Sequence, residues 1–406
     1  MQALHIHGAA NVLCNQDDSV QWKATDVLVT DGLVAEVGCD HGHSNNDTTL
    51  AHATSLDATG LLVLPGIVDI HGDAFERQIQ PRPETVFSHD IAMAETDRQL
   101  IVNGITTACH GLTFSWEGGL RGRDAALAML RQVSDSANHF QADHRIHLRF
   151  ENHHVDGLRD ALDWISQGWV SLLAFNDHLP SIARKMQTPE KLAIYAERAR
   201  CSTAEFRARL EAAQSRAGEV ADVIEALAAE CRRNRIPMLS HDDETAADRL
   251  RYQDLGVAIS EFPRTPQALT TAMGLSNMVV MGAPNVLLGG SHCGGMSATT
   301  SISAQACHIL ASDYYYPSLL HAPFKLAFVE QVCTLAQAWQ LVSENPAKAM
   351  GLRNRGRIAP GCRADLILVE ASVTGAAKLV ATIVEGQVVY CSEPARLIQR
   401  RLPLAA

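Results

Sequence analysis

The chain has 406 residues and a formal net charge of −11, with 47% hydrophobic and 19% charged residues. This length is sufficient for a large core, and the composition excludes general disorder. The negative charge disfavours broad binding to nucleic acid or acidic membranes, although local cations can still bind an anionic small molecule.

The two ends of the chain have the pattern of short strands. Near the N-terminus, Asp26–Thr30 and Leu33–Val37 flank the hairpin signal Asp31-Gly32. Further strand patterns near the C-terminus cover Ala364–Val369, Leu379–Val384 and Gln387–Tyr390. Because chain ends often lie close in space, we predict that residues 1–60 and 355–406 build one small β-sandwich together.

Residues 61–354 alternate between short apolar runs and helical segments. The runs are Leu61–Ile70, Ile105–Cys109, Ile146–Phe150, Val170–Phe175, Pro237–Ser240, Val257–Glu261, Val286–Leu288 and Ile309–Ser312. Strands separated by helices indicate a parallel sheet, and eight units fit an α/β fold of the (β/α)8 TIM barrel type. The charged helical segment Ser181–Ala217 is predicted to be an insertion after the fifth strand.

Several of these runs end in residue types that bind metal ions. The candidate ligands are His71, Asp73, Glu151, His178, His241 and Asp313. A barrel brings the carboxyl ends of its strands to one face, so side chains distant in sequence are expected to meet there. Three imidazoles and three carboxylates suit two divalent ions, with Zn²⁺ favoured, and Mn²⁺ or Fe²⁺ also suitable.

Each ligand also has a structural alternative when it is taken alone. The His71-Gly72-Asp73 segment could form a turn, and His241 could belong to a helix N-cap region. Asp313 could cap a strand end. The joint pattern favours the metal site, because five strand ends carry a ligand type in order. We assigned no catalytic role to His147 and several other histidines.

The segments PGIVDIHGD, GITT, SHDD and SDYYYP, together with NPAKAMGL and RGRIAPGCRADLILV, resemble the amidohydrolase superfamily. Within it, LSHDDET, MGAPNVLLGGSHCGG and LASDYYYPSLL resemble the diphosphatases that act on α-D-ribose 1-methylphosphonate 5-triphosphate in the carbon–phosphorus lyase pathway. The resemblance implies hydrolysis of a phosphoanhydride that yields pyrophosphate and the 5-phosphate. The alternative is a metal-dependent C–N hydrolase, such as a deacetylase, cyclic amidase or deaminase, on the same barrel.

The resemblance also implies roles for the ligands. His71, Asp73 and Asp313 hold one metal ion, and His178 and His241 hold the second. Glu151 takes the place of a carbamylated lysine as the bridging ligand. Asp313 also accepts the proton of the attacking water. The anionic Asp73 replaces a histidine that is usual in the superfamily.

Such a substrate needs cations, and the candidates for contact with it are Arg82, Arg149, Arg264 and His292. Arg149 could instead form a structural ion pair inside the barrel. The glycine-rich loop around His292 could cradle phosphate or could be a plain loop. The expected partner is thus a phosphorylated small molecule.

The remaining expectations concern location and assembly. The N-terminal sequence lacks a secretory signal, and no stretch of about 18 apolar residues is present, so we expect a cytoplasmic protein. The ten cysteines form no C-x-x-C pair, and reduced thiols are favoured over disulfides. A homodimer is compatible with the sequence, since dimers are the commonest closed assembly.

Overall fold

A barrel of parallel strands forms the body of the protein. The computed structural model describes residues 3–16, 19–38, 53–82, 84–290, 295–372 and 375–398. Within these ranges, eight parallel strands form one sheet in chain order, numbered here as barrel strands 1 to 8. They are Ile67–Gly72, Ile105–Phe114, Asp143–Glu151, Leu172–Asn176, Met238–His241, Ile259–Glu261, Met278–Gly282 and Ile309–Ala311.

The two edge strands of this sheet meet at their carboxyl ends. The Asp313 N–H donates to the His71 carbonyl at 2.9 Å, and the Asp73 N–H donates to the Asp313 carbonyl at 2.8 Å. These bonds join barrel strands 1 and 8. The predicted (β/α)8 barrel is therefore confirmed.

Helices connect the barrel strands and pack their apolar sides against them. In the helix Val220–Asn234, for example, Val223, Leu227 and Cys231 are buried at the four-residue spacing of one helix face. The α-helices of the barrel are Glu76–Ile79, His89–Ile101, Arg123–Asp135, Leu158–Ser166, Val220–Asn234, Ala246–Asp254, Pro266–Gly274, Ala283–Leu288, Ala298–Ser303, Pro317–Phe324, Leu335–Gln340 and Glu344–Ala349. No described helix has both the length and the apolar character needed to cross a membrane.

One predicted strand is wrong. Val286–Leu288 lies in the helix Ala283–Leu288, and barrel strand 7 is Met278–Gly282. Gly282 is the N-cap of this helix, and Pro284 occupies its first turn, where the missing N–H of proline costs nothing. The Gly-Ala-Pro segment therefore ends the strand and begins the helix before the second apolar run is reached.

The helical insertion follows barrel strand 4 and not the predicted fifth strand, because Leu172–Asn176, the strand before it, is the fourth strand of the barrel. Its helices are Leu179–Lys185, Pro189–Arg198 and Thr203–Ser215. They share a small core of their own that includes the buried Phe206 and Leu210.

The chain ends build two further sheets. One contains Leu397–Ile398, Thr54–Asp57, Ala3–His7, Val27–Thr30 and Leu33–Val37 in spatial order. The other contains Gln387–Cys391, Ala377–Val384, Leu366–Ala371, Leu62–Pro65, Asn11–Gln16 and Ser19–Lys23. Ile6, Val29, Leu366 and Val380, from both sheets, share one core. The two sheets thus pack on each other as a sandwich.

The interior of the barrel is apolar in its deeper layer and polar at its mouth, which is the end where the carboxyl ends of the strands lie. Leu239 and Ile259 belong to the apolar layer, which Met350 also joins from outside the strands. Side chains alternate along a strand, so the residue two positions further points into the same interior. This periodicity places His241 and Glu261 in the mouth, directly above that layer.

Candidate metal centre

Glu261 holds two histidine rings at the barrel mouth. Its Oε1 accepts a hydrogen bond from His71 Nδ1 at 2.8 Å, and its Oε2 accepts one from His241 Nδ1 at 2.7 Å. Although burial opposes ionisation, the two histidines and His147 hold the pKa of Glu261 well below its ordinary value. The carboxylate therefore fixes the proton of both rings at Nδ1 and leaves each Nε2 with a lone pair.

Glu151 holds a third ring in the same way. Its Oε1 lies 2.5 Å from His178 Nδ1, and its Oε2 accepts from the His178 backbone N–H at 3.2 Å. Burial raises the pKa of Glu151, but the interactions with His178 outweigh it and lower the pKa to about 2. The Nε2 of His178 then faces Asp242, whose Oδ2 is 3.9 Å away.

His147 is a fourth ring with the same orientation. Its Nδ1 donates to the Ile70 carbonyl at 2.9 Å, while its buried Nε2 has no hydrogen-bond partner among the described residues. Burial lowers the pKa of His147 to about 3, so the ring is neutral. The sequence analysis gives His147 no catalytic role, and the structure places it beside His71 and Glu261 in a candidate ligand group. The signal was available, because His147, Arg149 and Glu151 alternate along one strand and share its inner face.

Three groups of described side chains have ligand atoms within 4.8 Å of one another. They are His71 with Asp73 and Asp313, His178 with His241 and Asp242, and His71 with His147 and Glu261. The structure therefore brings five of the six predicted ligands into two neighbouring groups. Sequence reasoning missed Asp242, Glu261 and His147.

Glu151 is the predicted ligand that stands apart. It belongs to none of these groups, and both of its oxygens face His178. In this arrangement it positions His178, and the expected bridging role has no support from its contacts.

The first group depends on the backbone where the barrel closes. Asp313 has a left-handed backbone conformation with φ of 55° and is fixed by its hydrogen bonds to strand 1. Burial raises the pKa of Asp313, and the nearby Asp73 carboxylate raises it further, while His71 lowers it; the net shift is upward. A Cβ atom at Gly72 would lie 2.8 Å from a side-chain oxygen of Asp69 and of Ser312. Glycine is therefore required between the two ligands of strand 1.

The second group lies beside a loop and not in a helix N-cap. Asp242 has φ of 59°, and its Oδ1 is 3.9 Å from His241 Nε2. The following helix begins later, where Thr245 accepts from the Asp248 N–H as N-cap. The alternative interpretation of His241 as part of the cap is therefore wrong.

A cavity of about 240 Å³ opens from these groups. Arg149 and Arg264 both line it, as do Asp313 and His241. Arg264 is 43% exposed, and its guanidinium is 3.9 Å from Asp242 Oδ2, so it stands at the rim.

The other two predicted contacts are not among the described residues that line the cavity. Arg82 is exposed and is absent from the described cavity lining. His292 lies outside the described residues.

The donor set fits a metal ion. Four imidazoles are held by their Nδ1 atoms, which is how proteins orient histidine ligands, and the unpartnered Nε2 of His147 is a buried lone pair. Imidazole and carboxylate together favour Zn²⁺, Mn²⁺ or Fe²⁺ over Ca²⁺. When bound, such an ion supplies positive charge that polarises a phosphoryl or carbonyl oxygen and activates water.

A family model described as the amidohydrolase family matches residues 88–390. The chain belongs to the amidohydrolase family. It is also 33% identical over 355 residues to the alpha-D-ribose 1-methylphosphonate 5-triphosphate diphosphatase of Escherichia coli strain K12. That match covers 84% of this chain and 91% of the relative. The resemblance noted from the sequence is confirmed, and the chain is a hydrolase.

Solved structures support the same fold. A Xaa-Pro dipeptidase with bound methionine superposes with a TM-score of 0.65 at 12% identity, covering 96% of this chain and 100% of that one. A triazine hydrolase variant has a TM-score of 0.61 at 14% identity, covering 99% and 97% of the two chains. At these identities the likeness establishes the fold alone.

Proposed function

We propose that this hydrolase cleaves the 5-triphosphate of α-D-ribose 1-methylphosphonate 5-triphosphate and releases pyrophosphate and the 5-phosphate. The observation that carries the proposal is the 33% identity to the diphosphatase, which extends over 91% of that relative. The site is compatible with it, because two arginines and the half-buried carboxylate of Asp313 face one cavity beside the ligand groups.

His71, Asp73 and Asp313 are the residues that would hold the metal ion. Asp313 is also placed to accept a proton from the attacking water, since its carboxylate faces the cavity and its backbone is fixed on both sides. A carboxyl with a raised pKa is a better base than an ordinary aspartate. In-line attack at the α-phosphorus would expel pyrophosphate.

Arg149 and Arg264 bind the anionic chain in this proposal. Guanidinium groups offer paired N–H donors that match phosphate oxygens, and they remain charged at all working pH values. Arg149 is deep, with 11% of its side chain exposed, whereas Arg264 at the rim has 43% exposed. The buried arginine therefore suits the reacting phosphate, and the rim arginine suits the outer part of the substrate.

The test is hydrolysis in ¹⁸O-labelled water, with pyrophosphate measured by an enzyme-coupled assay. We expect equimolar pyrophosphate, with the label in the 5-phosphate product. ATP and a panel of N-acyl amino acids serve as comparison substrates. Cleavage of the N-acyl compounds without release of pyrophosphate from the triphosphate would overturn the proposal and favour a C–N hydrolase.

A further inference from the structure

Arg149 lies in the middle of the candidate metal centre. It points inward from barrel strand 3, and its side chain is only 11% exposed. The neighbouring strand makes room for it at Gly111, where a Cβ atom would lie 3.3 Å from Arg149 Cδ and 3.4 Å from His71 Nε2. A long cationic side chain thus passes beside the first ligand group to reach the second.

The guanidinium of Arg149 contacts one member of the first ligand group and one member of the second. One NH₂ donates to His241 Nε2 at 3.1 Å, and the other is 3.8 Å from Asp73 Oδ2. Because Glu261 binds the Nδ1–H of His241, Nε2 carries the single lone pair of that ring. That lone pair is engaged by Arg149, and it cannot bind a metal ion at the same time.

We propose that the Arg149 guanidinium takes the place of a metal ion in the second group. The centre then binds one divalent ion tightly and not two. The ion is held at His71, Asp73 and Asp313. The inference rests on the metal dependence of the proposed function. It replaces the expectation of two ions, because a guanidinium stays protonated and repels a second ion from His241.

This arrangement also keeps Arg149 available to substrate. Its Nε is buried and has no hydrogen-bond partner among the described residues. An arginine that served only as a structural ion pair would have its donors satisfied by carboxylates, whereas the nearest contact of Arg149 is a neutral ring nitrogen. The guanidinium is therefore held by a hydrogen bond to a ring nitrogen and a longer ion pair to Asp73, and its Nε stays available to an anionic group.

The experiment counts metal ions and needs no substrate. Apo protein is titrated with Zn²⁺ or Mn²⁺ by calorimetry, and the metal retained after dialysis is measured by mass spectrometry. We expect one tight equivalent in the wild type. In Arg149→Met, which keeps the stem but removes the charge, affinity for a second ion should rise at least about 100-fold. The matched control, Arg264→Met, removes a cavity cation at the rim and should still bind one.

Two further proteins keep the test decisive if Arg149→Met fails to fold. His241→Asn should retain the single ion, because its Nε2 is bonded to Arg149, whereas His71→Asn should lose it. The wild type loaded with Mn²⁺ should give the electron paramagnetic resonance spectrum of an isolated ion. Two tight equivalents in the wild type, an exchange-coupled Mn²⁺ pair, or loss of the ion in His241→Asn would each overturn the proposal. Failure of the pyrophosphate assay would leave these metal counts unaffected.

Discussion

Replacing Glu261 by Gln tests the orientation of the site, because this buried carboxylate holds two histidine rings at once. It accepts from His71 Nδ1 at 2.8 Å and from His241 Nδ1 at 2.7 Å. The amide of Gln keeps one acceptor oxygen, while its NH₂ group can only donate. One ring must then accept at Nδ1 and carry its proton at Nε2, the atom that a metal ion needs.

The expected loss of metal affinity is about 10- to 100-fold, the usual effect of removing an outer partner of a histidine ligand. This range corresponds to about 1.4–2.8 kcal/mol. We expect the upper end, because Glu261 has 0% exposed surface and no water can replace the lost acceptor. The free energy of unfolding should also fall, since a hydrogen bond to a charged group contributes about 1.5–3 kcal/mol.

The assay is calorimetric titration of the apo protein with Zn²⁺ or Mn²⁺, repeated in competition with a chromophoric chelator. Glu117→Gln is the matched control, because Glu117 is also buried, accepts from Arg121 and Arg198, and lies outside the ligand groups. It should destabilise the fold but leave metal affinity unchanged. A Glu261→Gln protein that binds metal as tightly as the wild type would show that Glu261 does not orient the two histidine ligands.

Three further predictions concern the base, the acid stability and the barrel closure. Asp313→Asn should lower kcat for pyrophosphate release by at least about 100-fold at saturating metal; a near-normal rate would remove Asp313 from the proton role. Burial lowers the pKa of His154 to about 4. The unfolded chain therefore binds a proton at this ring near pH 6.5, whereas the folded chain binds it only near pH 4, and stability falls between these values. His154→Phe should therefore remove a loss in the free energy of unfolding on the order of 3 kcal/mol between pH 7 and pH 4, measured by urea unfolding; an equal loss in the variant and the wild type would contradict this role of His154. Gly72→Ala should cost about 1–3 kcal/mol in the same unfolding experiment, because its Cβ would overlap buried oxygens, while Gly218→Ala, with open space around it, should not destabilise.

The barrel and most of its ligands could be predicted because a parallel barrel gathers the carboxyl ends of its strands. His71, His241 and Asp313 follow apolar runs, and that position alone indicates the mouth. The same rule extends to Glu261, which lies two residues after Ile259 on the inner face. The sequence analysis includes Glu261 as the last residue of an apolar run but does not name it as a candidate, and it takes only Arg264 from the segment that follows.

Other features depend on conformations that residue patterns do not encode. Asp242 reaches His178 and His241 only because its backbone is left-handed, with φ of 59°. Glu151 bonds to the ring and the backbone N–H of His178, which lies just after barrel strand 4. Its expected bridging role came from the family resemblance, which cannot specify which side of a ring a carboxylate approaches.

The metal centre depends on the convergence of distant strand ends at the barrel mouth. The most direct measurement is anomalous X-ray diffraction from crystals of the protein grown with Zn²⁺ or Mn²⁺, recorded on both sides of the metal absorption edge. We expect an anomalous peak within bonding distance of His71, Asp73 and Asp313. Fully folded crystals with no ion there, or with the ion bound elsewhere, would contradict it.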